Sequence, residues 1–221
     1  MLMNISRSTN RHIPNCMNKL FKKELFHLSN LSNPSSLSAG AATLVIVAHP
    51  DLGKSRINKR LASELERIGN VTVHRLYESY PDEKIDVARE QALLLAHERI
   101  VLQFPFFWYS SPALLKKWMD EVFELGWAHG KGGDKLNGKE LLIAISSGGA
   151  HSMYQAGGFH NYSYSELLRP FQQTANLTGM IYRRPFVVSG IREVSDEQLE
   201  QYAADYALYV EGQSALSGRR A

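Results

Sequence analysis

Tyr154 and His160 stand six residues apart in the segment Ser146-Ser-Gly-Gly-Ala-His-Ser-Met-Tyr-Gln-Ala-Gly-Gly-Phe-His160. A phenol and an imidazole aimed at one ligand can move protons or steady a developing charge. The same segment opens on two hydroxyls, Ser146 and Ser147, and two glycines, Gly148 and Gly149. Having no Cβ to hold a ligand away, these glycines let backbone N–H groups approach a flat polar molecule. The combination points to an enzyme.

Two other segments carry chemistry. His49-Pro-Asp-Leu-Gly-Lys-Ser-Arg-Ile-Asn58 leads from a strand into a helix, where unpaired N–H groups and the helix dipole favour an anion. Ser55 and Asn58 can add side-chain donors, and Lys54 or Arg56 can add charge. Equally, Ser55 can simply cap the helix. Neither a Walker loop nor a Gly-x-Gly-x-x-Gly dinucleotide fingerprint is present. Phe104-Pro-Phe-Phe-Trp-Tyr-Ser-Ser-Pro112 sets four aromatic residues in a row, Phe106 to Tyr109. Exposed aromatics need something to pack on, and a flat conjugated ring is a natural partner; for any single one, a place in the core is an even alternative. The histidines show no firm metal-ligand spacing and there is no cysteine cluster, which disfavours a metal site. The Gly-x-Ser-x-Gly elbow of a serine hydrolase is missing.

The elements that must position these residues alternate. Thr43–Ala48, Val71–Tyr77, Arg99–Phe104, Glu140–Ser146 and Ile181–Val188 read as strands. Arg56–Ile68, Val87–His97, Pro112–Phe123, Tyr164–Thr178 and a last stretch from a Ser195/Gln198 capping box to about Tyr209 read as helices. This order implies a doubly wound parallel sheet of five strands with helices on both faces, an α/β fold. Ligands bind such sheets at the carboxyl ends of the strands, near the point where strand order reverses. The three chemical segments follow strands one, three and four and are expected to converge there.

Composition narrows the rest. The 221 residues are 44% hydrophobic with a formal net charge of +3. Residues 1–42 carry Arg7, Arg11, Lys19, Lys22 and Lys23 against Glu24, leaving the remainder about neutral. The domain is therefore no nucleic-acid binder by charge. Residues 1–42 are Ser- and Asn-rich and read as a disordered or leader extension, dispensable for function; 43–212 read as the domain and 213–221 as a flexible tail. Cys16 is the single cysteine, which excludes an internal disulfide and suits a reducing compartment.

The chain resembles the flavodoxin-like NAD(P)H:quinone oxidoreductases. It is especially similar to the bacterial flavoproteins that are ancillary subunits of glutathione-gated potassium efflux systems. The matching pieces are Ala48-His-Pro50, Ser55-x-x-Asn58, Leu76-Tyr77, Tyr80-Pro-Asp82, Ile85-Asp86, Arg89-Glu-Gln91, Pro105 to Trp108, Pro112-Ala-Leu-Leu-Lys116, Gly126-Trp127 and Ser146-Ser-Gly-Gly149. The resemblance implies FMN as cofactor, NAD(P)H as co-substrate and a quinone or similar electrophile as acceptor. FMN is preferred over FAD because the chain ends soon after its last helix. His49 with Ser55, Arg56, Ile57 and Asn58 would hold the phosphate and ribityl chain. Pro105, Phe106, Phe107 and Trp108 would lie along the ring system, and Ser146, Ser147, Gly148 and Gly149 would bond its pyrimidine edge. Tyr154 and His160 match a pair that assists hydride transfer in the animal relatives. The resemblance further implies a cytoplasmic homodimer with Gly126-Trp-Ala-His-Gly130 walling the partner's pocket. The alternative it offers is a flavin-loaded regulatory subunit of a potassium efflux transporter, peripheral at the inner membrane.

Overall fold

Residues 40–212 are described by the structure, a computed structural model. The expected leader, except for its last three residues, and the expected tail lie outside the described residues. Strands β1 (Thr43–Val47), β3 (Arg99–Pro105) and β4 (Glu140–Ser146) are buried along their whole length. Their side chains alternate between two cores, as the two-residue period of a strand requires. Leu44, Ile46, Ile100, Leu102, Phe104, Leu141, Ile143 and Ile145 enter the first core. There they meet α2 (Val87–Ala96), α3 (Ala113–Val122) and α4 (Arg169–Thr178) through Leu94, Leu115, Trp118 and Phe171. Val45, Val47, Val101, Leu142 and Ala144 enter the second. They meet α1 (Arg56–Leu65) and α5 (Asp196–Val210) through Ile57, Leu61, Ala203 and Tyr206. Both faces are thus covered, the reason the strands read as apolar runs rather than alternating ones.

With β2 (Val71–Arg75), the parallel sheet runs β2-β1-β3-β4 and continues on the far side of β4. The fifth strand is split. Its pieces, β5 (Ile181–Tyr182) and β6 (Phe186–Val188), both pair with β4. Glu140 faces Ile181 and Leu141 faces Tyr182, but Ala144 faces Phe186. Arg183, Arg184 and Pro185 therefore stand against only Leu142 and Ile143. Pro185 has no N–H to give the ladder, so the extra residue is accommodated where pairing must lapse anyway. The strand order is that of doubly wound flavodoxin-like sheets, with its reversal between β1 and β3.

Three expected elements depart from the sequence pattern, the first of them α1, which ends at Leu65 rather than Ile68. The strand from Val71 stops at Arg75 and gives way to a helical turn, Leu76–Ser79. The helix expected over Tyr164–Thr178 is interrupted at Leu168, leaving a turn at Tyr164–Leu167 before α4. Pro170 in the first turn of α4 marks that restart, since proline fits a helix beginning and not its interior.

The first core holds a buried carboxylate. Glu90 is inaccessible to solvent; Tyr80 Oη donates to it at 2.6 Å and Trp118 Nε1 at 2.8 Å, and His74 Nε2 lies 3.0 Å away. At the amino ends of β3 and β4, Glu140 is gripped by the buried Arg99 (Nε at 2.7 Å) and by Arg183 (Nη2 at 2.6 Å). Arg99 also donates to the Val210 carbonyl, tying down the end of α5. No described helix is long and apolar enough to cross a membrane.

Candidate active site

The loops after β1, β3 and β4 meet at the carboxyl edge of the sheet, joined by direct bonds. Phe106 N–H donates to the Ser146 carbonyl at 2.8 Å, linking the second loop to the third. Asn58 Nδ2 donates to Ser146 Oγ at 2.9 Å, linking the first to the third.

In the first loop, Ser55 caps α1: its Oγ accepts from Asn58 N–H at 3.1 Å. The N–H groups of Arg56 and Ile57 are left at the open end of the helix, where no earlier turn can receive them. The Ile57 side chain is buried in the second core, so only its backbone faces the loop. The Arg56 guanidinium reaches across to the Val194 carbonyl (2.8 Å) and Asp196 (2.6 Å), and Lys54 pairs with Asp51 at 2.7 Å. With both side chains engaged, any pull on an anion here would come from backbone N–H groups and the helix dipole. Asn58 is buried, its carbonyl accepts from Gln103 Nε2 at 2.9 Å, and its Oδ1 has no partner among the described residues. His49 accepts the Asp51 N–H on Nδ1 at 3.1 Å. Burial holds its pKa below the usual histidine value, against the opposing pull of Asp51. Neutral His49 therefore carries its proton on Nε2 and is a donor there.

In the second loop the aromatic residues separate. Pro105 and Phe106 are buried, Phe106 within the first core and edge-on to Tyr109. Phe107 and Tyr109 are about half exposed, and Trp108 is 93% exposed. Ser110 N–H closes on the Phe107 carbonyl at 2.9 Å around Trp108 (φ 49°) and Tyr109 (φ 62°). Two consecutive left-handed residues give the sign pattern of a type I′ turn, usually the place of Asn and Gly. Neither the pattern of residues nor any glycine signals this turn in the sequence.

In the third loop, Ser146 and Ser147 are buried, Gly148 is exposed and Gly149 is half-buried. The N–H groups of Gly148 and Gly149 donate to nothing among the described residues. A Cβ on Gly148 would meet open space, whereas one on Gly149 would stand 2.9 Å from His160 Nε2 and 3.1 Å from Tyr154 Cε2. The stack lying against Gly149 has three rings. Tyr154 lies between His160 (centroids 4.2 Å apart) and Tyr164 (4.0 Å), each at an interplanar angle of 23°. The Tyr164 hydroxyl is 2.5 Å from Ser147 Oγ. Burial raises the Tyr154 and Tyr164 pKa values, so both phenols stay protonated. Tyr109 completes the cluster, with its hydroxyl 3.3 Å from His160 Nδ1.

Tyr164 was not among the residues singled out by the sequence, and Tyr109 was only as a member of the aromatic run. Tyr109 is the last of the four consecutive aromatics, a usable signal; Tyr164 looks like the start of an ordinary helix. Trp127, expected at a subunit interface, is half-buried and packs against the first core.

The family model for the flavodoxin-like fold matches residues 41–210. The chain belongs to this family. It is 51% identical over 168 residues to an NAD(P)H oxidoreductase of Bacillus subtilis, covering 76% of this chain and 85% of that one. Among solved structures it is similar to general stress protein 14 of Treponema denticola in complex with FMN, at 39% identity with a TM-score of 0.75 over 77% of this chain and 98% of that one. An NADPH-quinone reductase of P. pentosaceus is also 39% identical, with a TM-score of 0.71 over 76% and 96% of the two chains. Relatives at greater distance include an ancillary protein of the glutathione-regulated potassium-efflux system of Yersinia enterocolitica, 38% identical over 82% of this chain and 99% of that one.

Proposed function

We propose that the protein is an FMN-dependent NAD(P)H reductase that delivers two electrons to a quinone or similar acceptor. The observation that carries this reading is the convergence, on one sheet edge, of an open helix start, two glycine N–H groups and a Tyr-His stack. The donor set suits FMN. Backbone N–H groups at the start of α1 suit a phosphate, those of Gly148 and Gly149 suit an edge of carbonyl and ring-nitrogen acceptors, and the buried Asn58 Oδ1 suits a ribityl hydroxyl. The FMN carried by the Treponema denticola relative supports the same reading.

Bound flavin would accept hydride from NAD(P)H and pass it to the acceptor, chemistry that belongs to the cofactor. The chain's own residues bind, orient and compensate charge. Ser55 and Asn58 fix the start of α1, and Asn58 ties it to Ser146. His49 offers its Nε2–H beside that anion-binding end. Phe106 forms a rigid wall, while Phe107 and Trp108 border an accessible face for flat partners. Tyr154 and His160 are positioned to steady negative charge gained by the ligand edge. A phenol whose pKa is raised by burial remains a donor across the physiological range.

Homodimerisation belongs to this reading, with Trp127 and the exposed Leu125 beside it as contact residues. Light scattering giving a monomer with full activity would remove that part. A regulatory role on a potassium efflux transporter is the second reading, supported by the Yersinia enterocolitica relative; it shares the flavin and differs in needing a membrane partner. The cofactor test is direct. Purified protein is expected to be yellow and to release FMN on heating. Release of FAD would refute the choice of cofactor, and a protein that takes up neither flavin would refute the whole proposal.

A further inference from the structure

The turn that carries Trp108 and Tyr109 puts two bulky aromatic residues in the left-handed region (φ 49° and 62°). Such a residue is strained there and persists where its surroundings over-determine it. What the turn achieves for Tyr109 is a specific contact. Its ring stands edge-on to Phe106 (centroids 6.5 Å apart, 87°) and to His160 (5.6 Å, 68°), with its hydroxyl 3.3 Å from His160 Nδ1.

The other ring nitrogen of His160 has a different neighbour. Nε2 faces Gly149, where even a Cβ would come within 2.9 Å. Stacking on Tyr154 holds the ring plane, and its backbone N–H is fixed by the Met153 carbonyl at 2.9 Å. The ring is therefore oriented with Nδ1 toward Tyr109 and Nε2 toward the glycine strip. A neutral imidazole carries one proton, and the partner of one nitrogen decides where it sits. If the Tyr109 hydroxyl donates to Nδ1, the proton is on Nε2, beside Gly149. Nε2–H then joins the unpaired Gly148 and Gly149 N–H groups as a donor of the same loop. The opposite tautomer would place a lone pair among donors meant for the same ligand.

We infer that Tyr109 is a positioning residue that holds His160 as its Nε2–H tautomer by donating its hydroxyl proton to Nδ1. The role concerns a hydrogen bond held, not a proton transferred. Its consequence for the rate rests on the reductase reading; the tautomer itself does not.

Two-bond ¹⁵N–¹H NMR of flavin-loaded protein labelled in its histidines tests this at a pH where the spectrum itself shows the ring neutral. The His160 signals are assigned by their loss in His160→Gln. Wild-type His160 is expected to show a protonated Nε2 and a bare Nδ1. Tyr109→Phe keeps the ring and is expected to give a mixture of tautomers. The same variant is expected to slow flavin reduction by NAD(P)H about three- to ten-fold, the scale of one net hydrogen bond, with flavin content unchanged. A wild-type Nδ1–H tautomer would overturn the inference, and so would a Tyr109→Phe protein with an unaltered tautomer. Should Tyr109→Phe fail to fold, the wild-type spectrum still tests the inference, since an Nδ1–H tautomer there overturns it. Protein with the expected tautomers that oxidises neither nucleotide would leave this inference standing and overturn the proposed function.

Discussion

Asn58 joins the start of α1 to the end of β4: its Nδ2 donates to Ser146 Oγ at 2.9 Å, though 88 residues separate them. Its carbonyl also receives Gln103 from β3. One buried residue thus registers the three strand ends whose loops form the crevice, its side chain holding β4 and its backbone carbonyl holding β3. Asn58→Ala removes the tie and leaves Ser146 without its partner, a loss of about 1–2 kcal/mol. Urea unfolding of the apoprotein measures this term, and flavin titration of the same variant is expected to show weaker binding as well. Unchanged affinity would mean that Asn58 only supports the fold.

The two glycines are expected to respond differently to alanine. Gly149→Ala drives a methyl against His160 Nε2 and Tyr154, so the three-ring stack must shift. Gly148→Ala meets no protein atom within 4 Å and is expected to fold with wild-type stability. Its methyl stands in the open side of the loop, so flavin affinity is expected to fall there too. Thermal melts with and without added FMN separate the cases. Wild-type affinity in Gly148→Ala would move the ligand edge away from this glycine.

Tyr154→Phe and His160→Gln are each expected to slow flavin reduction by NAD(P)H while sparing flavin binding. A positioned proton donor contributes about 10²–10⁴-fold at best, and an accessible site that water can reach lies at the low end. Because the rings stack at 4.2 Å and serve one charge, the double variant is expected to be less than additive. Stopped-flow absorbance decides this; wild-type rates in both single variants would reduce the pair to pocket lining.

Trp108→Gly is expected to stabilise the protein by about 1 kcal/mol, since glycine adopts positive φ without strain. The 93%-exposed indole has little packing to lose within the chain. Activity is expected to fall, because the flat face bordering the crevice goes with it. A destabilised variant would show that Trp108 packs on something that holds the fold together, such as a second copy.

Glu90 sets an acid limit. Burial works against its charge, but the neighbouring His74 and the hydrogen bonds from Tyr80 and Trp118 outweigh it, so its pKa lies below the usual carboxylate value. A depressed folded pKa gives stability that is full above about pH 4.5 and is lost as pH falls through the folded value. Glu90→Gln is expected to cost about 1.5–3 kcal/mol at neutral pH. It is also expected to flatten the loss of stability below pH 4.5. Unfolding curves at pH 7 and pH 4 check both, and an unchanged acid slope would assign that slope to other carboxylates.

The apolar runs made the sheet legible, because β1, β3 and β4 are covered on both faces and admit almost nothing else. The split of the fifth strand was marked by Pro185 and the break before α4 by Pro170, both overridden by surrounding helical or extended character. Arg99, Glu140 and Glu90 were not legible as core residues: a charged residue is buried only when its partners arrive from distant elements, and spacing carries no record of them. The loop positions of Tyr154, His160, Gly148 and Gly149 could be read from residue type. The left-handed turn at Trp108 and Tyr109 could not, since it contradicts the local preference of both residues.

The central proposal is that this chain by itself moves electrons from NAD(P)H to a quinone. Flavin-loaded protein, assayed with NADH or NADPH and a soluble benzoquinone and no other protein present, tests it most directly. One nucleotide oxidised per hydroquinone formed, with parallel double-reciprocal plots, is expected, because one exposed face serves donor and acceptor in turn. Protein that holds FMN but oxidises neither nucleotide with any quinone would contradict it and favour the regulatory subunit.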